Sequence, residues 1–287
     1  MIKVIRDERD PAMNFSLFLI DLQLDFIEAE QDAAYQPALP VAGSLADVHR
    51  IAGFIRQATS RLEAVGATFD SHPAYGIERP GFWRYADGKL VPAHTNISVE
   101  DIDTGRVALV NPEHALALDT VRQMAAQGDY QLRVWPRHAV EGSIGAAMHP
   151  AVMDALSDWE VEHHAGVFKV FKGRNPFTEH FGAVRAAVQL DEHTRTNEAL
   201  LDWLKAALAR GAMFVAGEAG SHCVPSTMRD VILELAPELV RNIVLLTDGM
   251  SPVPGFEDMQ RDFLRWSAER GARLMTVAQA TALVHAG

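Results

Sequence analysis

Short apolar runs alternate along the chain with segments in which apolar residues recur every three to four positions. The first pattern is typical of buried strands, and the second of helices with one buried face. Their alternation indicates βαβ units built around a mostly parallel sheet, with right-handed crossovers that place helices on both faces. The apolar runs predict strands at 16–22, 67–69, 131–135, 167–171, 213–217, 242–248 and 273–277.

The helical segments carry recognisable start and stop signals. Ser44 is suited to be an N-cap for an apolar stripe that continues to Leu62, and Gly66 is expected to end this helix. Pro150 and Pro225 each suit the first turn of a helix. The predicted helices after the first span 114–127, 150–161, 197–209, 224–235, 256–270 and 278–284.

One stretch departs from this alternation. From about 73 to 111 there is no clear periodicity, and glycine, proline and aromatic residues are frequent. Such a long connection is typical of a lid, a binding loop or an interface arm. The aromatic residues Tyr75, Phe82 and Trp83 favour an ordered, packed loop over a floppy surface insertion. We therefore predict a single domain over 1–287, with an insertion at about 73–130.

Composition and charge exclude several classes of protein. The 287 residues are 48% hydrophobic and 22% charged, as in an average soluble globular protein. With 26 basic and 38 acidic residues the net charge is −12, which disfavours binding to nucleic acid or to an anionic membrane. No apolar stretch approaches the length needed to cross a bilayer. The single cysteine cannot form an intrachain disulfide, so a cytoplasmic location is expected.

Polar and reactive side chains stand where the predicted strands end. Asp21 ends the first strand, Asp70 and His72 follow the second, and His138 follows 131–135. Two more follow later strands, Lys172 and the lone cysteine, Cys223. Ligands of open parallel sheets bind beyond the carboxyl ends of the strands. The topology alone therefore predicts that these six residues lie close together.

Cys223 is a candidate nucleophile, although a free cysteine is often a small buried hydrophobe. It follows a strand and a glycine-containing turn and opens a helix. A helix N-terminus favours the thiolate, and its free N–H groups are suited to receive a developing oxyanion. Asp21, desolvated at a strand end, is a candidate base with a raised pKa. Lys172 is expected to place a positive charge near both groups.

A metal site is predicted from Asp70, His72 and His138. A carboxylate and an imidazole two positions apart at a strand end face the same side, and His138 supplies a third ligand. This ligand set suits Zn²⁺ first, and Fe²⁺ or Mn²⁺ as alternatives. Glu78, in the following loop, is a candidate fourth ligand.

Taken together, these segments resemble the isochorismatase-like cysteine hydrolase superfamily, and within it the nicotinamidase/pyrazinamidase branch. The resemblance rests on five short motifs in the family's order, spread from residue 16 to about 235. They are DLQLDF at 21–26, DSHP at 70–73, WPRH at 135–138, KG at 172–173 and GEAGSHCV at 217–224.

The resemblance implies a six-stranded parallel sheet of order 3-2-1-4-5-6 between helices. It implies that Cys223 attacks an amide carbon to form a thioester, with Asp21 as proton carrier and Lys172 as their stabiliser. It further implies a cis peptide before Ala219, and an oxyanion hole made by the N–H groups of Ala219 and Cys223. The products would be an acid and ammonia.

The resemblance also assigns a substrate pocket. In nicotinamidases the residues matching Asp70, His72 and His138 hold a metal that binds the pyridine nitrogen. Phe26 and Trp135 match aromatic walls around a flat ring, and we expect His222 to contact substrate as well. A small aromatic or heterocyclic carboxamide, similar to nicotinamide, is therefore the expected partner.

Several departures from the family pattern keep alternatives open. Glu218 replaces an apolar residue, Ser221 replaces an aspartate, Arg137 is unusual beside the metal histidine, and the insertion is long, as in a larger subgroup without a settled substrate. The alternatives are an isochorismatase-type enol-ether hydrolase, a non-catalytic scaffold or ligand-binding module suggested by Glu218, and a metallohydrolase in which the metal activates water. Family analogy also predicts a homo-oligomer.

Overall fold

The structure is a computed structural model that describes residues 14–128 and 131–286. No helix within these ranges is long and apolar enough to cross a membrane. The strands of the described residues are β1 Asn14–Ile20, β2 Leu62–Asp70, β3 Trp83–Tyr85, β4 Asn96–Ile97, β5 Val107–Leu109, β6 Leu132–Arg133, β7 Phe168–Lys172, β8 Gly211–Gly217, β9 Ile243–Leu246 and β10 Arg273–Met275. The helices are α1 Ser44–Ala58, α2 Val99–Asp103, α3 Leu116–Gln127, α4 Pro150–His163, α5 Glu198–Leu208, α6 Cys223–Glu234, α7 Pro237–Val240, α8 Glu257–Glu269 and α9 Val277–Ala286.

The central sheet has six parallel strands in the order β10-β9-β8-β1-β2-β7. Counted along the chain, these strands have the order 3-2-1-4-5-6, so the predicted fold class and topology are confirmed. The chain moves outward from β1 to one edge and then returns to β8 beside β1. This reversal places the carboxyl ends of β1, β2, β7 and β8 around one crevice.

The two faces of the sheet carry separate halves of the core. Along β1, Leu17 and Leu19 pack on one side, with α1, α4 and α9, whereas Phe18 and Ile20 pack on the other, with α5, α6 and α8. Successive residues of a strand point to opposite faces, and a strand covered on both faces is apolar throughout. The continuous apolar run of the first strand is explained by this double burial.

The prediction that α1 ends at Gly66 is wrong. The helix ends at Ala58, a turn follows at Thr59–Arg61, and β2 begins at Leu62. Leu62 fits the helical stripe equally well, so periodicity alone did not reveal the change of element. Gly66 lies inside β2, where a Cβ would approach the ring of Trp203 to 2.7 Å. Its role is therefore close packing between strand and helix.

The segment 131–135 was predicted as a strand of the main topology, and this is also wrong. Only Leu132–Arg133 is extended, and it pairs with Asn96–Ile97 in a separate antiparallel ribbon. A second ribbon joins β3 to β5. Neither ribbon is part of the central sheet, so β7, not this segment, follows β2 there.

The described part of the insertion, 73–128, packs around its own apolar cluster, as its aromatic residues predicted. Phe82 and Trp83 are fully buried in a third apolar cluster with residues of α3 and of 132–134. Tyr75 remains 39% exposed, with its ring 5.0 Å from that of Phe82. Residues 129–130 of the predicted insertion, like 1–13 and 287, lie outside the described residues. A single domain with an insertion at about 73–130 stays a prediction.

Candidate active site

Asp21 lies immediately after β1, fully buried, with a backbone φ of 49°. Thr68 of the neighbouring strand holds it, because its hydroxyl donates to Oδ1 at 2.6 Å. On the other side of β1, Gly217 ends β8 with a φ of 145°, where a Cβ would meet the carbonyl oxygen of Ile20 at 2.1 Å. The glycine lets the two strand ends approach closely at this edge.

Lys172, the last residue of β7, joins three of the predicted residues. Its Nζ lies 2.9 Å from Oδ2 of Asp21 and 3.7 Å from Sγ of Cys223, and it forms a close ion pair with Asp70. It also donates to the carbonyl oxygen of His180 at 3.2 Å. Side chains separated by up to 202 positions in the chain thus meet at one buried amine, as the strand ends predicted.

Cys223 is the first residue of α6 and is 7% exposed. The preceding turn contains the cis peptide Glu218–Ala219, at the position that the family resemblance implied. Ala219 and Cys223 both line the cavity described below. The nucleophile candidate and the two residues expected to form an oxyanion hole therefore border the same space.

Burial sets the protonation of this group of residues. Burial raises the pKa of Asp21, as expected, although Lys172 opposes the shift. Burial also raises the pKa of Cys223 well above its usual value, and again Lys172 offsets only part of this effect. The expectation of a resting thiolate at the helix N-terminus is therefore wrong. In the resting site, the thiol of Cys223 is protonated and lies beside the basic carboxylate of Asp21.

The pKa of Lys172 shifts the other way. Burial alone would lower its pKa, but the carboxylates of Asp21 and Asp70 raise it well above its usual value. The ammonium group is thus charged at neutral pH. Its single positive charge is shared by two buried carboxyl groups, which by themselves would be costly to ionise.

Asp70, His72 and His138 form a buried group whose ligand atoms lie within 4.8 Å of one another. Nε2 of His72 faces Oδ2 of Asp70 at 3.3 Å, and Nδ1 of His72 lies 3.1 Å from the carbonyl oxygen of Gly173. If Nδ1 donates to that carbonyl, Nε2 and the carboxylate are two acceptors facing each other. A cation between them would satisfy both, so these residues fit a divalent metal.

Gly173 makes this arrangement possible. Its φ is 88°, and a Cβ there would lie 2.7 Å from Cε1 of His72. The glycine that follows the catalytic lysine candidate therefore lets the chain turn away from β7 while its carbonyl stays against the imidazole. The two residues of the KG motif are therefore needed for different reasons: Lys172 supplies a buried positive charge, and Gly173 leaves room for the imidazole of His72.

The expected fourth ligand, Glu78, is not part of this group. Its Oε1 lies 3.4 Å from Nδ1 of His72 and 3.2 Å from Nε of Arg79, on the side of the imidazole away from Asp70. It packs behind His72 instead. Arg79 is fully buried, and its Nη1 lies 2.8 Å from Nδ1 of His138. Burial and the charge of Arg79 lower the pKa of His138, so its imidazole is neutral.

A cavity of about 40 Å³ lies among these residues. Phe26, Trp135 and His222, the residues predicted to contact substrate, line this cavity. The ring of Phe26 lies 5.2 Å from that of His138, and the ring of Trp135 lies 5.5 Å from that of His222. A space of this volume holds one or a few water molecules. A planar ring enters only when side chains of the wall move.

A larger cavity of about 680 Å³ adjoins the first one at Phe181. It lies between the insertion, the 181–189 segment and the helices α6 and α8. Its walls contain both arginine and aspartate side chains, but neither the cysteine nor the metal-ligand candidates. The chemistry-bearing residues therefore select the smaller cavity as the candidate site.

Glu218 does not oppose an oxyanion at Ala219. Its Oε2 accepts a hydrogen bond from the backbone N–H of Ser251 at 3.2 Å, and its side chain lies beside Asp47 of α1 and does not line the cavity. Burial and the neighbouring Asp47 raise its pKa well above the usual value. The observation that suggested a non-catalytic scaffold is thereby removed.

Sequence reasoning missed several residues that hold the site. Gln23 brackets the backbone of Asp70, donating from Nε2 to its carbonyl oxygen and accepting from its N–H, both at 2.7 Å. Gln23 belongs to the DxQ segment, so the motif itself carried this signal. Glu179 lines the cavity fully buried, and burial together with the charge of Glu78 raises its pKa to about 8. No local pattern marked Glu179 or Arg79.

Known proteins resemble the chain over nearly its whole length. No protein-family profile matches it. A nicotinamidase of Escherichia coli strain K12 is 29% identical over 267 residues, which is 92% of this chain and 95% of that protein.

Two solved structures show the same fold. The yeast nicotinamidase Pnc1p bound to the inhibitor nicotinaldehyde has a TM-score of 0.61 at 15% identity, covering 91% of this chain and 99% of that chain. The pyrazinamidase of Pyrococcus horikoshii in complex with zinc has a TM-score of 0.52 at 16% identity, covering 92% and 99%. Motifs, topology and the curated relative agree: the chain is similar to nicotinamidases and pyrazinamidases of the isochorismatase-like hydrolase superfamily.

Proposed function

We propose that this chain is a cysteine amidohydrolase that converts a small aromatic or heterocyclic carboxamide, similar to nicotinamide, into the acid and ammonia. One observation carries the proposal. The Nζ atom of Lys172 lies 2.9 Å from Asp21 and 3.7 Å from the Sγ of Cys223, and Cys223 lines the cavity. A thiol, a basic carboxylate and a fixed positive charge at these distances suit nucleophilic attack on an amide. The E. coli nicotinamidase relative supports the substrate class.

The reaction has two halves in this proposal. Asp21 takes the thiol proton of Cys223 as sulfur attacks the amide carbon, and the N–H groups of Ala219 and Cys223 receive the oxyanion. The tetrahedral adduct collapses, the C–N bond breaks, and Asp21 returns the proton to the departing ammonia. A water molecule then gives a proton to Asp21 and attacks the thioester. Release of the acid and return of the proton to sulfur restore the enzyme.

The raised pKa values suit these proton transfers. Asp21 is a better base than an ordinary aspartate because burial raises its pKa. Lys172 stays protonated throughout and favours whichever neighbour is negatively charged, first the carboxylate and then the thiolate. The high pKa of the resting Cys223 means that sulfur is deprotonated during attack and not beforehand.

We further propose that Asp70, His72 and His138 hold a divalent metal ion, zinc before iron or manganese. When bound, the metal supplies a Lewis-acidic site that fixes a ring nitrogen of the substrate. The zinc complex of the P. horikoshii pyrazinamidase supports this choice. Arg79 and Gly173 orient the imidazoles, and Phe26 and Trp135 hold the ring between them while excluding water.

The direct test is ammonia release from nicotinamide by the wild type and by Cys223→Ser and Cys223→Ala, assayed with and without added Zn²⁺, Mn²⁺ or Fe²⁺. We expect both variants to lose at least about 10⁴-fold in kcat/KM, since a covalent step is removed. An acyl adduct seen by intact-mass measurement of the wild type during turnover and absent from Cys223→Ala assigns the thioester to the single cysteine.

Two results would contradict the proposal. Ammonia release that survives in Cys223→Ala would favour the metallohydrolase alternative, in which metal-bound water attacks. Turnover of an enol ether without ammonia release would favour the isochorismatase-type alternative. Ser226→Ala is the matched control, because Ser226 lies on the same helix but lines the larger cavity only.

We also infer a homo-oligomeric state and a reducing, cytoplasmic compartment. The lone, buried and unpaired Cys223 supports the compartment, since a reactive thiol stays reduced there. Size-exclusion chromatography with light scattering tests the oligomeric state, and a mass equal to one chain contradicts it.

A further inference from the structure

Arg133 lies at the rim of the candidate site and has no role in the proposed chemistry. It is the last residue of β6 and precedes Trp135 by two positions. Its guanidinium carbon lies 5.1 Å from the ring centre of Trp135 and 5.9 Å from that of Phe256. The same two rings contact His222, at 5.5 and 4.8 Å. Arg133 therefore lies next to the wall of the cavity.

The charge of Arg133 has no counter-charge among residues 14–128 and 131–286. Its Nη1 donates to the neutral side-chain oxygen of Asn96 at 2.8 Å, and its Nε is buried without a hydrogen-bond partner there. Several other arginines pair with acids, as Arg174 does with Glu141 at 3.0 Å. A half-buried cation is stabilised by a nearby anion, and Arg133 lacks one here although the chain has a net charge of −12. A bound anionic ligand would supply it.

The electrostatic effect of Arg133 reaches the cavity. Burial first, and the charge of Arg133 second, lower the pKa of His222 to about 4, so His222 is neutral at pH 7. A neutral imidazole does not compete with Arg133 for an anion. A ligand that extends outward along the rings of Trp135 and His222 would next meet the guanidinium group, which is suited to bind a carboxylate through two N–H donors.

We propose that Arg133 recognises a carboxylate on the substrate, so that the preferred substrates are ring carboxamides that carry a second, acidic group. This inference rests on the proposed amidohydrolase function and narrows its substrate class. The amide would face Cys223, and the carboxylate would lie at Arg133. Arg133 acts here as a specificity-determining residue and takes no part in bond making.

The test compares nicotinamide with monoamides of pyridinedicarboxylic acids, and with the same rings carrying a neutral acetyl group instead of the carboxylate. We expect the wild type to prefer the acidic amide by about ten- to a hundredfold in kcat/KM over the acetyl analogue, as for a charged hydrogen bond. Arg133→Gln should raise KM for the acidic amide by a similar factor and leave kcat within about twofold. KM for nicotinamide should stay unchanged.

Two control variants sharpen the result. Arg133→Lys keeps the charge but loses the planar fork, so it should retain part of the preference. Arg270→Gln removes another arginine that lies over a tryptophan, 4.0 Å from the ring of Trp266, away from the site. It should change neither substrate's KM. Raising ionic strength should weaken the preference of the wild type and leave nicotinamide hydrolysis unaffected.

The failure of this inference can be told apart from failure of the proposed function. Equal kcat/KM for the acidic and acetyl amides, or an equal effect of Arg133→Gln on both, overturns the role of Arg133 while nicotinamide hydrolysis still stands. If no ring amide is hydrolysed, tryptophan fluorescence of Cys223→Ser titrated with the pyridinedicarboxylic acids decides. Binding lost with Arg133→Gln supports carboxylate recognition, and binding unchanged, or absent from both proteins, overturns it.

Discussion

Two buried acids stand at the same edge of the sheet, one after β1 and one after β8, and they have different surroundings. Asp21 lies 2.9 Å from the ammonium group of Lys172 and faces Cys223. Glu218 lies against another carboxyl group, that of Asp47, and against the backbone of Ser251. Burial raises the pKa of both acids. The charge of Lys172 is the main effect that lowers the pKa of Asp21 again, whereas at Glu218 the neighbouring Asp47 raises the pKa further and Arg50 is only the smallest of the opposing effects.

This difference separates a catalytic candidate from a structural one. A buried acid beside a cation can exist with or without its proton, which proton transfer requires. A buried acid beside another acid keeps its proton and acts as a hydrogen-bond donor. The partner charge, and not burial, therefore distinguishes the two neighbours. The sequence motif had suggested the opposite concern, that Glu218 would disturb the site.

The largest expected effect separates the two acids directly. Asp21→Asn should lower kcat/KM for amide hydrolysis by about 10³-fold or more, because no base remains for the thiol proton. Glu218→Gln, which keeps the shape and a donor, should change it less than about fivefold. Steady-state ammonia release measures both. A large loss in Glu218→Gln with an unchanged fold would erase the distinction.

The next effect concerns the cation. Lys172→Gln should destabilise the fold by about 3–5 kcal/mol, because it leaves the buried carboxyl groups of Asp21 and Asp70 without their counter-charge. Lys169→Gln, on an exposed position of the same strand, is the control and should shift stability by less than about 0.5 kcal/mol. Urea unfolding gives both numbers. Equal stability of the two variants would mean that Lys172 does not provide the counter-charge for the buried carboxyl groups of Asp21 and Asp70.

The third prediction concerns metal binding by Asp70, His72 and His138. Zn²⁺ at a hundredfold excess over its Kd should stabilise the wild type by about 2.7 kcal/mol, and a chelator should reverse this. Asp70→Asn should abolish both the stabilisation and the metal content found after dialysis. His193→Gln, at an exposed histidine, should retain them. Stabilisation of Asp70→Asn equal to that of the wild type would contradict the assignment.

The smallest effect is a pH dependence of stability at Glu218. Its folded pKa is raised, so the folded protein keeps a proton that the unfolded chain releases above its usual value of 4.5. Wild-type stability therefore falls as pH rises from 4.5 towards the folded pKa, by at most about 1.4 kcal/mol per pH unit from this group. Glu218→Gln should lose this slope. A difference between the proteins that is the same at pH 5 and pH 7 contradicts it.

Chain order alone predicted a mostly parallel sheet with helices on both faces and most of the site, whereas the strand order came from the family resemblance. A buried parallel strand is a run of apolar residues, and the residue after it lies at the ligand-binding edge. Asp21, Asp70, Lys172 and Cys223 could therefore be placed together before any distance was known. Element boundaries were less certain where one residue fits two periods, as Leu62 does.

Tertiary structure alone decided which neighbours those residues have. Arg79 and Glu179 lie in irregular segments, so no periodicity marks them, and Glu78 stands behind His72 because of a turn that the sequence does not encode locally. The direction of the Glu218 side chain and the raised pKa of Cys223 depend on burial and on charges from distant segments. Local pattern and chain order determine where a strand ends, whereas the electrostatics of a site sum contributions from residues that only folding brings together.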